Sequence, residues 1–200
     1  MSINNSKRRK TLRIIVATNN EGKLEEIREI FSNYDIVSIK EAGFDLEVDE
    51  DENTFAGNAM KKAKACAKLT GELCLADDSG LAIEYFKGWP GVKTNRWMEG
   101  TDRDRNIAIV KIMEELPKEE RLANWVTAIA AVDRVGNSYV ATNSVTGFIS
   151  TSLRGKNGFG FDEIFELENG KTLAELSSKE KNEIGARKKA LEQVRNYLDS

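Results

Sequence analysis

This 200-residue sequence predicts an α/β protein built on a mixed sheet, and three observations carry that expectation. Near the start, the apolar, β-branched run Leu12 to Ala17 passes through a polar turn into Leu24, Ile27 and Phe31 at helical spacing, giving strand, turn and helix. Further on, a helical stretch leads into the short buried strand Leu73 to Ala76. Two long β-rich stretches, Leu122 to Asp133 and Ser138 to Ile149, are joined by a turn at Gly136-Asn137, which favours an antiparallel pair. Early αβ units followed by a hairpin call for parallel and antiparallel strands in one sheet.

The remaining elements follow in order. Ile36 to Ile39 reads as a second strand and Glu47 to Asn53 as an acidic loop. Thr54 begins a helix that runs to about Leu69, with Phe55, Ala59, Ala63 and Cys66 on one stripe and Gly71 as its stop. The strand Leu73 to Ala76 ends at an acidic turn, Asp77-Asp78-Ser79-Gly80. The Gly88, Pro90 and Gly91 cluster is a turn ahead of a helix over Asp102 to Leu116. A glycine-dense loop, Gly155 to Gly160, precedes one final helix over about Lys179 to Leu198. Residues 11–200 are expected to form a single domain with two lobes, after a disordered basic tail over residues 1–10.

Composition removes several function classes. The net charge of −3, from 30 basic and 33 acidic residues, provides no global positive field for a nucleic acid backbone. Cys66 and Cys74 do not form a CxxC pair, so reduced, non-catalytic thiols in a cytoplasmic protein are expected. The run after Lys7-Arg8-Arg9-Lys10 is too short for a signal peptide, and no segment approaches the roughly 20 apolar residues of a membrane span. The chain has no histidine, which excludes Ser-His-Asp and Cys-His catalysis and any zinc site that needs imidazole. Metal chemistry must then rest on oxygen ligands, which favours a hard ion such as Mg2+.

Four places carry candidate chemistry. The turn Thr18-Asn19-Asn20-Glu21-Gly22-Lys23 lies between a strand and a helix, where free N–H groups and the helix dipole favour a phosphate, although Asn20 serves equally as a plain helix cap. In the helix after Thr54, Lys61, Lys64 and Lys68 share the outer face, while Lys62 falls with the apolar stripe, where it needs either an anion or a snorkelling route to water. In the final helix, Arg187 lies inside the stripe of Ile184, Leu191, Val194 and Leu198, so a nucleotide or a structural carboxylate must meet it. Carboxylates crowd at Asp49-Glu50-Asp51-Glu52 and at Asp77-Asp78, where a metal would relieve their repulsion if the fold joins them. No GxGxxG follows the first strand, which sets aside a dinucleotide-dependent oxidoreductase.

In order and spacing these segments resemble the inosine triphosphate pyrophosphatase family, the XTP/dITP diphosphatases. The pieces that carry the resemblance are TNNEGK from Thr18, TFAGNAMKKA from Thr54, LADDSGL from Leu75, GWPGV from Gly88, GKNGFGFDEIF from Gly155 and GKTLAELSSKEKN from Gly170. The resemblance implies an elongated mixed sheet with two lobes flanking a nucleotide cleft, and a homodimer. It implies that Thr18, Asn20, Lys23 and Lys62, with Asn19, Glu21 and Gly22 in the same turn, hold the triphosphate. Glu50 and Asp78 would bind Mg2+, Asp78 would also be the base that activates water, and Ser79 would touch the substrate. Phe159, Gly160, Phe161 and Asp162 would stack on and border the base, with Lys181 and Arg187 completing its pocket.

The implied reaction is attack of water on the α-phosphorus of ITP, dITP or XTP, releasing pyrophosphate without a covalent intermediate. No membrane or nucleic acid partner is implied. The chain departs from the family pattern at Gly185-Ala186-Arg187, where Ser-His-Arg is usual, at Glu163 for a proline, and at Gly57 for a glutamate. The missing histidine motivates one alternative, the same chemistry redirected to another nucleotide. A nucleotide-binding protein without turnover is a second.

Overall fold

The computed structural model describes residues 12–200, so the basic tail expected over residues 1–10 lies outside the described residues. Strand β1 (Arg13–Val16) runs parallel to β2 (Asp35–Ser38) on one side and to β3 (Cys74–Ile83) on the other. Helix α1 (Glu21–Ile30) connects β1 to β2, and its first turn is closed by Asn20, whose side chain accepts from the Lys23 N–H at 3.1 Å. Helix α2 (Phe55–Thr70) connects β2 to β3. Thr54 caps its start by accepting from the Gly57 N–H, and it stops at Gly71, whose φ of 70° suits a residue without Cβ.

The antiparallel half comes from β5 (Leu122–Val132) and β6 (Ser138–Ile149), extended by the short β7 (Phe165–Glu166). One seven-stranded sheet results, in the order β2-β1-β3-β5-β6-β7, with the two-residue β4 (Trp89–Pro90) also paired to β3. Three apolar clusters hold it. Helix α1 and the last helix, α5 (Ala186–Leu198), pack Leu24, Ile27, Leu191 and Val194 on one face, while α2 packs Ala59, Ala63 and Cys66 on the other. The third cluster joins the far half of the sheet to α3 (Asp102–Met113) through Ile83, Ile109 and Phe165. Each fully buried Leu, Ile or Phe contributes about 1.5–3 kcal/mol by leaving water. Both cysteines are buried and unbridged, and among the described residues no helix is long and apolar enough to cross a membrane.

Two expectations are corrected. Asp77-Asp78-Ser79-Gly80 is no turn, because β3 continues through it for ten residues and β5 pairs with every one of them. The apolar run stops at Ala76, but the hydrogen-bonding partner does not. The final helix is in fact two, α4 (Ser178–Ile184) and α5, separated at Gly185, which is extended at φ −65° and ψ 140°. Ile184 therefore packs in the third cluster, away from Leu191 and Val194 in the first.

Candidate active site

The edge of β3 that faces β1 is paired at only two stretches. Cys74 and Leu75 pair with β1, and Ala82 and Ile83 pair with β4, so no strand covers the backbone between them. Asp77-Asp78-Ser79-Gly80 lies in this gap, and the carboxyl end of β1 with the start of α1 lies beside it. Open α/β sheets bind ligands at such a place. A cleft of about 320 Å3 fills the gap, lined among others by Thr18, Asn19, Asn20, Lys23, Glu50 and Lys62. Asp77, Ser79, Trp125 and the Phe159-Gly160-Phe161 segment line it as well.

Strand alternation sends the two aspartates to opposite faces of the sheet. Asp77 faces α1 and α5, where Lys23 pairs with it at 2.8 Å and Arg187 approaches at 3.3 Å. Burial alone would raise its pKa, but the charges of Lys23 and Arg187 outweigh burial and hold it well below the usual carboxylate range. Arg187 also donates to Glu26 at 2.6 Å and to the Ser79 hydroxyl at 3.1 Å. Of the two partners open to that arginine, the structure shows carboxylates, which with the Ser79 hydroxyl engage its η nitrogens.

Asp78 faces α2, where Asn58 donates to it at 2.9 Å. Lys62 stands 4.0 Å away, nearer to Glu50 at 2.6 Å. The lysine in the apolar stripe therefore does not snorkel. It bridges the acidic loop to the strand, so Glu50 and Asp78 converge on one ammonium. Burial, helped by the Glu50 charge, outweighs Lys62, the Asn58 hydrogen bond and Lys23, and pushes Asp78 up to about 6.

The far wall is built by the glycine-dense loop. The Phe159 ring lies against α1, so close that a Cβ on Gly22 would come within 2.9 Å of it. Lys181 sits 4.3 Å from the centre of that ring and pairs with Asp162 at 2.7 Å. Asp162 also accepts from the Phe159 N–H at 2.9 Å, which fixes the loop. Burial raises the Asp162 pKa despite Lys181. Of the turn residues, Glu21 is exposed, while Thr18 accepts from the Asn20 N–H at 3.2 Å.

Sequence reasoning passed over Asn58, Glu26 and Arg96. Asn58 stands one turn before Lys62 on α2, and a polar residue at that spacing is the signal that points to it. Glu26 and Arg96 carry no periodic signal. Arg96 donates to the Glu50 carboxylate at 3.0 Å from beyond β4. Among the described residues no cluster of three or more acidic or sulfur side chains is preformed for a metal. A Glu50–Asp78 pair still suits Mg2+, which is commonly held by one or two carboxylates and completed by water and substrate phosphates.

The model of the Ham1 family matches residues 14–197. A dITP/XTP pyrophosphatase of Desulforamulus reducens is 41% identical over 194 residues, spanning 94% of this chain and 96% of that protein. A dITP/XTP pyrophosphatase of Bacillus subtilis is 39% identical over 192 residues, or 93% and 96% of the two chains. Among solved structures, the Staphylococcus aureus Ham1 protein superposes with a TM-score of 0.84 at 31% identity, covering 94% of this chain and 98% of that one. A HAM1 protein from Coxiella burnetii gives 0.84 at 34%, covering 94% and 99%. By sequence over nearly its whole length, and by fold, the chain belongs to the Ham1 family.

Proposed function

We propose that this chain is a nucleoside-triphosphate pyrophosphatase that hydrolyses ITP, dITP and XTP to the monophosphate and pyrophosphate, clearing deaminated purines from the nucleotide pool in the cytoplasm. The single observation that carries the mechanism is Asp78. It is a buried carboxylate pushed up to about 6, on β3 between Asp77 and Ser79, which line the cleft together with Lys23 and Lys62. A carboxylate raised above its ordinary range is a stronger proton acceptor than an exposed one.

The triphosphate would lie over the start of α1, with Lys23 and the N–H groups of the turn on its outer phosphates. Mg2+ bound by Glu50 and Asp78 would offset phosphate charge and acidify a bound water. Asp78 accepts the proton as the water oxygen bonds to the α-phosphorus. The bond from that phosphorus to the bridging oxygen breaks, and pyrophosphate leaves with the electron pair. Lys62, released from Glu50, would follow the charge onto the phosphates. Phe159 would stack on the base, and Asp162, Lys181 and Arg187 would border it. We read residues 12–200 as one domain whose lobes flank this cleft, and as half of a homodimer.

Pyrophosphate release from ITP, XTP, ATP and GTP, with Mg2+ and with a chelator, tests the reading. Fast turnover of ITP and XTP alone, lost with the chelator, is expected. Equal turnover of all four would remove the selectivity. A second reading, the same chemistry on other nucleotides, is motivated by Gly185-Ala186, which offer the base no side-chain donor. Turnover of a different nucleotide in a wider panel would establish it.

A further inference from the structure

We propose that Arg96 is a further polyphosphate-binding residue, held on Glu50 until a divalent cation takes that carboxylate. The proposal rests on the assignment of Glu50 to the cation. Both oxygens of Glu50 accept from a cation, Oε1 from Lys62 at 2.6 Å and Oε2 from Arg96 at 3.0 Å. A divalent ion that binds this carboxylate competes with both cations for its charge, and the more weakly held one gives way first.

Arg96 is the one free to move. Its side chain is 43% exposed, against 15% for Lys62. Its other contacts, to the carbonyls of Glu50 at 2.5 Å and Val92 at 3.1 Å, are neutral acceptors that water can replace. Thr94 and Asn95, just before it, line the cleft. A released guanidinium therefore swings from the rim toward the phosphates, where its fork suits two oxygens at once. The cation and the polyphosphate then strengthen each other's binding, because each removes an ion pair that opposes the other.

The competing account makes Arg96 a plain tie between the acidic loop and the turn after β4. Calorimetry on the full chain separates the two, with Mg2+ alone and with tripolyphosphate in Mg2+ as probes. Under the proposal Arg96→Ala binds Mg2+ alone about threefold tighter, since a competing cation is gone, yet binds tripolyphosphate about tenfold weaker. Arg96→Lys, which keeps the charge, stays within about threefold of the parent on both probes. Weaker binding of both probes by Arg96→Ala, or equal losses in the Lys and Ala variants, would mark a structural tie and overturn the proposal. A parent chain that binds no Mg2+ would remove the Glu50 assignment itself, and one that binds Mg2+ but no tripolyphosphate would overturn the proposal alone.

Discussion

Asp77 and Asp78 are neighbours in the chain and opposites in chemistry. Asp77 meets two cations at 2.8 and 3.3 Å and remains ionised in the interior. Asp78 has an amide at 2.9 Å and a lysine at 4.0 Å that is already committed to Glu50. The first pair of contacts balances a buried charge, and the second leaves it under-compensated. On the assignment proposed for Asp78, function sits where the fold supplies fewer partners, while structure sits one residue away where they are supplied in full.

The largest effect expected is on turnover. Asp78→Asn should reduce pyrophosphate release by about 10³-fold or more, the scale of a lost general base together with a lost metal ligand. The same variant should be more stable than the parent. A carboxyl carried from 3.8 to about 6 costs the folded state at most about 3 kcal/mol when ionised, so urea unfolding at pH 8 should report a gain of about 1–3 kcal/mol. A variant that keeps its activity would end the contrast between the two residues.

Asp77→Asn should behave in the reverse sense. It leaves Lys23 and Arg187 facing each other without their shared carboxylate, and about 3–5 kcal/mol of stability should be lost in urea unfolding. If that variant unfolds at the parental urea concentration, the ion pairs around Asp77 are not what anchors α1 and α5 to the sheet.

Acid sharpens the comparison further. The folded pKa of Asp78 lies above its unfolded value, so its contribution is stabilising at low pH and is lost as pH rises through about 6. Asp77 lies below its unfolded value, so its contribution is present at neutral pH and is lost as pH falls below about 4. The advantage of Asp78→Asn over the parent should therefore grow between about pH 4 and pH 7 and then level. A flat difference across that range would mean that Asp78 is ionised without cost.

The smallest effect is at Gly22. Alanine there should add up to about 1 kcal/mol of helix propensity in α1, while its Cβ pushes the Phe159 ring off its seat. Thermal melting should rise slightly as KM for ITP rises severalfold with kcat nearly unchanged. A lower melting temperature would mean that the ring had no room to yield.

Much of the fold was legible in local sequence. Asn20 and Thr54 start helices as capping residues do, Gly71 stops one in the left-handed region, and the hairpin of β5 and β6 lies close to its expected bounds. Lys62 and Arg187 stood out because a charge on an apolar stripe demands a partner. The break at Gly185 was not legible, since the flanking residues keep a helical pattern and only the packing of Ile184 and Leu191 into different clusters separates α4 from α5.

By itself the sequence determined the α/β class, the oxygen-only chemistry that follows from having no histidine, and the identity of the charged residues that need company. Only the tertiary structure decided who keeps whom company. It carried β3 through the acidic residues because β5, some fifty positions later in the chain, supplies its hydrogen bonds. It then gave each aspartate a separate face and a separate set of charges. Local patterns encode which residue cannot stand alone, but pairing across a sheet depends on contacts distant in sequence, and those set whether a buried carboxylate is held ionised or left ready to take a proton.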